Sequence, residues 1–234
     1  MDSSEHTFDI FIQTLVEKWG SSSNINTVPR VTVLTVSSEP GSGGQIIAKE
    51  IAEQMKYDLF HRDIIKEIAD RADMSASVLE SLEKDRLSGI EDFIASLVSK
   101  RYLWPERYLA QLMKIVCVIG KHGRAVISGR GANFMLPPDE RLSIRIVAPE
   151  ELRIQNIIES RKISEDDARK WIITKEAKRR AFIRKSFNAD IADPINYDMV
   201  FNTGYIRYES VIKTTQMILE TGGKSTGPFP FDIK

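Results

Sequence analysis

Residues 37–50, SSEPGSGGQIIAKE, join a cluster of glycines to a run suited to a helix. The backbone N–H groups of Gly41, Ser42, Gly43 and Gly44, with a helix start behind them, can form a nest for an anion. Glycine supplies the positive φ angles and close approach that such a nest needs. A phosphate-binding P-loop reads G-x-x-x-x-G-K-[ST], with the lysine reaching the β- and γ-phosphates. Here Gly44 stands at the lysine and Gln45 at the hydroxyl, so that charge must come from elsewhere. A tight strand-to-helix turn that binds nothing is the competing reading. A branched side chain at Gly43 is expected to intrude on the nest.

A reservoir of charge lies downstream. Arg169, Lys170, Lys175, Lys178, Arg179, Arg180, Arg184 and Lys185 face a single acid, Glu176, within residues 169–185. Such a run can be a solvated helix face. Lys175 and Arg179 are four apart, as are Arg180 and Arg184, which makes two adjacent basic stripes. Phosphoryl transfer asks a protein mainly for positioning and for cations around the developing charge, and arginine forks suit phosphate oxygens.

Other candidates lie near expected strand ends, where open α/β sheets bind ligands. Arg130, between Gly129 and Gly131, either clamps a phosphate or satisfies loop carbonyls, and Asn133 can assist as a neutral donor. Arg62 can pair with an acceptor phosphate and Asp63 can accept from a hydroxyl or base edge; a surface ion pair is the alternative for both. His61 reads as structural. Three histidines and one cysteine give no metal-ligand spacing, so Mg²⁺ would arrive with a nucleotide.

The elements that must hold these groups follow from periodicity. Residues 31–36, 124–128, 142–148 and 198–203 read as buried strands, with a further strand ending at Leu59 and Phe60. Helical spacing marks residues 46–55, 75–120, 149 onward, 164–187 and 209–220, with Ser75 or Ser77 and then Ser164 as caps. Alternating strands and helices predict a mainly parallel sheet in an α/β fold. Residues 8–19 form an amphipathic helical arm whose apolar stripe must pack on its own core or on a partner subunit.

Composition excludes several classes. Lys plus Arg and Asp plus Glu total 33 each, so no global field favours nucleic acid or a membrane surface. Cys117 sits in an apolar run and reads as a small buried hydrophobe. No apolar run reaches the roughly 18 residues of a membrane span, and the polar N-terminus is unlike a secretory signal, so a cytoplasmic setting is expected.

Taken in order, E-P-G-S-G-G-Q-x-I-A, Y-D-L-F-H-R-D-I-I, V-I-S-G-R-G-A-N-F-M-L, K-x-x-K-R-R and D-P-x-N-Y-D-M-V-F-N-T resemble the cytidylate kinase-like family, a branch of the P-loop nucleoside monophosphate kinases, over roughly residues 31–220. The resemblance implies a three-layer P-loop kinase fold over residues 29–221, with a helical acceptor lobe at about 60–121 and a mobile basic lid at about 170–197. The arm and linker (1–28) and a flexible tail (222–234) lie outside it. It implies transfer of the ATP γ-phosphoryl group to CMP or a related nucleoside monophosphate, with Mg²⁺, and preference for CMP over AMP. Gly41, Ser42, Gly43, Gly44, Gln45 and Lys175 would hold the donor; Arg62, Asp63 and Asn133 the acceptor; Arg130, Arg179, Arg180 and Arg184 would act in transfer. Asp193 would position lid arginines, with Asn202 and Thr203 near the donor base.

The family's loop often reads R-E-x-G-S-G-G-R, itself without the lysine. This chain has Ser38 and Gln45 in place of the two arginines, His61 where an acid is common and Asp63 where glutamate is common. Arg180 or Arg184 is expected to swing in and replace the lysine's charge. Small nucleotides are the expected partners, and a homodimer through the arm is possible. A nucleotide-binding regulator without turnover, or a kinase of another small molecule, is the alternative.

Overall fold

Five short runs dominated by apolar residues pair into one sheet: β1 (Val33–Ser38), β2 (Asp58–His61), β3 (Ala125–Ser128), β4 (Arg141–Val147) and β5 (Met199–Asn202). Their order is β2-β3-β1-β4-β5 and every pair is parallel. In this computed structural model residues 10, 12–19, 31–82, 87, 89–92, 94–96 and 107–222 are described. The central strands have both faces covered, which is why they read as continuous apolar runs. Val33, Ala125 and Ile127 join one core with the helix Arg107–His122, while Leu34, Val36, Ile144 and Ile146 join another with the helices Gly44–Met55 and Tyr208–Thr221. The result is three layers, as expected.

The remaining helices are Arg62–Asp70, Ala72–Glu80, the short Ala132–Met135, Glu150–Arg161 and the long Glu165–Phe187. Ser164 caps the long helix by accepting from the Asp167 N–H at 3.2 Å, as its capping-box pattern requires. Ser75 and Ser77 lie inside Ala72–Glu80 and do not start a helix there; the extended backbone of Arg71 separates it from Arg62–Asp70. Residues 8, 9 and 11 of the expected arm, residues 83–86, 88, 93 and 97–106 of the expected helical stretch, and the expected tail from 223 lie outside the described residues.

The arm turns inward. Ile12 and Leu15 are buried in the core beneath Arg107–His122, Trp19 stacks on His122 at 4.0 Å, and Lys18 pairs with Asp58 of β2 at 2.7 Å. A dimer formed through that stripe would have to displace these contacts. Leu15→Ala is expected to destabilise the monomer by about 2–4 kcal/mol, read by urea denaturation, because it removes a buried side chain and leaves a cavity. An unchanged midpoint would detach the arm from the core.

Cys117 is buried, donates its thiol to the Met135 carbonyl, and burial pushes its pKa up to about 12. It is a packing residue, as its sequence context indicates. Among the described residues no helix is long and apolar enough to cross a membrane.

Candidate active site

The glycine loop leaves β1, the middle strand, and the Gly129-Arg-Gly131 turn leaves its neighbour β3, so both open at the same edge of the sheet. The long helix Glu165–Phe187, the lid helix, crosses above them. Between them lies a cleft with a cavity volume of about 220 Å³. Gln45, Arg62, Arg130, Asn133, Lys175, Lys178 and Arg179 all line it, so seven of the residues singled out by type and spacing converge.

Arg179 is the most constrained of these. Its Nη1 donates to the Ser38 carbonyl at 2.5 Å. Burial, then the charges of Arg62 and Arg145, depress its pKa, with Glu176 opposing. A guanidinium crowded by two others in a partly desolvated cleft is short of counter-charge, which a phosphate would supply. Arg130 holds φ +57°, a strained angle for a residue with a side chain, between Gly129 and Gly131, which are also left-handed. Its Nε donates to the Arg62 carbonyl at 3.3 Å, so the Nη pair is the fork available to an anion. Any Cβ on Gly131 would stand 2.7 Å from the Phe187 ring, so the lid helix packs directly on this turn.

Other expectations are revised. Arg180 and Arg184 are exposed, one residue round the helix from Lys175 and Arg179, and do not line the cleft. Asp63 is exposed, pairs with Arg62 at 3.2 Å and sits outside the cleft lining. His61 caps its helix by accepting from the Asp63 N–H, which gives it a structural role. Ser42 is fully buried; its N–H and hydroxyl both bond the Glu39 carbonyl, so its contribution is to the loop's shape. Thr203 donates to the Ser42 carbonyl at 2.9 Å and braces the loop, while Asp193 caps the turn Pro194–Asn196. Asn202 accepts from the Gly204 N–H.

The nest itself has the expected backbone. Gly41 and Gly43 take φ +82° and +80°, and the helix starting at Gly44 leaves its first N–H groups without intrahelical partners. The Gly41 carbonyl is held by Asn156 Nδ2 at 2.7 Å. A Cβ on Gly43 would meet the Tyr208 hydroxyl at 2.1 Å. A side chain there strikes the last helix and not the nest, so the cost of a branched residue falls on packing first.

Sequence reasoning missed the buried charges beneath the cleft. Arg145 on β4 donates to Ser37 Oγ at 3.0 Å, lies over the Tyr197 ring and approaches Glu39. Arg153 contacts Glu39 at 3.5 Å and pairs closely with Glu176 of the lid helix. Arginines inside apolar runs were the available signal, since a buried charge is kept only with partners. Phe134, Phe182, Ile183, Ile191 and Tyr197 add an apolar wall, and Phe182 and Ile183 share a helical face with Lys175 and Arg179.

The lid helix is anchored at both ends. Ala168 and Ile172 pack with Ile154 and Ile157 in a small separate core, and Ile183 and Phe187 enter the main one.

Comparison with known proteins agrees with this architecture. The model of the cytidylate kinase-like family matches residues 33–205. A cytidylate kinase of Methanocaldococcus jannaschii is 27% identical over 193 residues, covering 80% of this chain and 97% of its own. One of Ignicoccus hospitalis is 24% identical over 190 residues, covering 81% and 99%. The crystal structure of an uncharacterized protein from Eubacterium ventriosum superposes with a TM-score of 0.61 at 15% identity, covering 81% of this chain and 98% of that one, which speaks for the fold. With a parallel sheet whose cationic cleft opens at the glycine loop, and a family match that spans it, the chain belongs to the cytidylate kinase-like family.

Proposed function

We propose that the protein transfers the γ-phosphoryl group of ATP to CMP or a related nucleoside monophosphate. The observation that carries this reading is the convergence of Arg62, Arg130, Lys175 and Arg179 on one cleft beside the glycine loop. The donor phosphates would lie over the N–H groups that open the helix at Gly44, where the helix dipole favours anions. Arg62 and Arg130 would hold the acceptor phosphate in line, and the apolar wall of Phe134, Phe182 and Ile191 would meet a base. An acceptor phosphate oxygen is already a nucleophile at neutral pH, so no general base is required. Gln45 stands where a P-loop presents a hydroxyl to Mg²⁺, so the ion would be held chiefly by the nucleotide's oxygens and water.

A coupled assay across CMP, UMP, AMP and GMP, run beside calorimetry with Mg²⁺ and a non-hydrolysable ATP analogue, tests this. The expected result is the highest kcat/KM on CMP. Equal or higher kcat/KM on AMP or UMP would overturn the choice of acceptor. Analogue binding with no turnover would favour a regulatory nucleotide-binding role, which the missing loop cations at Ser38 and Gln45 motivate.

A further inference from the structure

The P-loop pattern G-x-x-x-x-G-K begins at residue 38 and places its lysine at 44. In this chain the two sizes are exchanged: the side chain stands at Ser38 and the glycine at Gly44. The structure shows why they exclude one another. A Cβ added to Gly44 would stand 2.3 Å from Ser38 Cβ and 2.8 Å from Ser38 Oγ. Ser38 ends β1 in register with Ile146 of β4, so its backbone has little freedom to withdraw. A lysine cannot be restored at 44 while any side chain remains at 38.

A cation of the lid helix contacts Ser38 directly. Arg179 reaches the Ser38 carbonyl, and one turn earlier on the same helix Glu176 pairs with Arg153, which also touches Glu39 next to Ser38. These contacts tie the register of the lid helix to the loop at two adjacent residues, 38 and 39. We propose that Ser38 closes the P-loop lysine site sterically and that Arg179, held in register by the Glu176–Arg153–Glu39 contacts, supplies the missing charge to the donor phosphates. This rests on the phosphotransferase reading above. In that step a bond forms from an acceptor phosphate oxygen to the γ-phosphorus as the bond to the β–γ bridging oxygen breaks. ADP leaves with the electron pair, and Arg179 offsets the charge gathering on it without moving a proton.

The test compares Arg179→Ala, Arg179→Lys and Gly44→Lys with the triple variant Ser38→Gly/Gly44→Lys/Arg179→Ala, which rebuilds the P-loop pattern. Arg179→Ala should lower kcat by about two to four orders of magnitude, in the range of arginine fingers and oxyanion donors. It should also weaken binding of the ATP analogue about 10- to 100-fold, the worth of one charge-assisted contact. Arg179→Lys should fall between. Gly44→Lys alone should melt at a lower temperature than the wild type, and the triple variant should recover much of both the analogue affinity and kcat. Wild-type affinity and turnover in Arg179→Ala would overturn the proposal. So would full stability in Gly44→Lys alone, or a folded triple variant that recovers neither readout. If the wild type transfers phosphate to no nucleoside monophosphate, the acceptor reading fails, and the analogue affinities still decide the place of Arg179.

Discussion

Arg130→Ala is expected to lower kcat for CMP by about two to three orders of magnitude, with a smaller rise in KM for the acceptor. Arg130 sits at the end of β3 with its Nε committed to the Arg62 carbonyl and its Nη pair facing the cleft. A fork placed there grips a phosphate in two-pronged geometry and meets charge that grows during transfer. The strained φ of +57° complicates a simple reading, because alanine keeps the strain and loses the charge. Arg130→Gly supplies the control: it relieves the backbone and should raise stability slightly relative to Arg130→Ala, while leaving kcat equally low. Arg130→Lys keeps a charge without the fork and should recover only part of the loss. Initial rates at saturating ATP over a range of CMP, with thermal melts of the three variants, are the measurements. Wild-type kcat in Arg130→Ala would remove Arg130 from the reaction and leave it as a brace for the Arg62 turn.

The second large effect concerns stability and positioning together. Arg153→Ala should cost about 3 kcal/mol in urea denaturation, because it strips the part-buried Glu176 carboxylate of its guanidinium partner and leaves Glu39 only the longer pairing with Arg145 and the Ala148 N–H. The charge cluster need not stabilise the fold relative to neutral residues, since desolvation offsets much of the attraction. Neutralising the Arg153–Glu176 pair as a set (Arg153→Met with Glu176→Gln), which leaves Glu39 on Arg145, should therefore restore most of the stability. If the cluster positions Arg179, that neutral set should still show kcat lowered by about 10-fold or more with ATP-analogue affinity less affected. A neutral set with both wild-type stability and wild-type kcat would reduce the cluster to packing.

The parts of the molecule legible in sequence are those governed by local rules. Apolar runs such as VLTV in β1 have one reading, a strand covered on both faces, and five of them joined by helices leave few options beyond a parallel sheet. The loop's positive φ angles at Gly41 and Gly43 and the cap at Ser164 also follow from residues a few positions apart. Arg130 and Asn133 were legible because a Gly-Arg-Gly turn after a strand has a known place at the sheet's edge.

What the sequence could not decide is which of two basic stripes faces inward. Lys175/Arg179 and Arg180/Arg184 have the same spacing and charge, and the packing of Ala168 and Ile172 at one end of the lid helix, and Ile183 and Phe187 at the other, sets its rotation. That rotation puts Arg179 in the cleft and leaves Arg180 and Arg184 in solvent. Sequence reasoning has Ser42 lending its backbone N–H to the nest, yet in the structure that N–H and the hydroxyl both turn onto the Glu39 carbonyl. The exclusion between Ser38 and Gly44 is likewise spatial. Six positions apart in the chain, they meet only because the loop folds back on the end of its own strand. Local chemistry thus determined a sheet, a glycine loop and a supply of cations. Packing across the chain decided which cation reaches the loop, because a helix's rotation depends on every apolar contact along its length and no single window contains them.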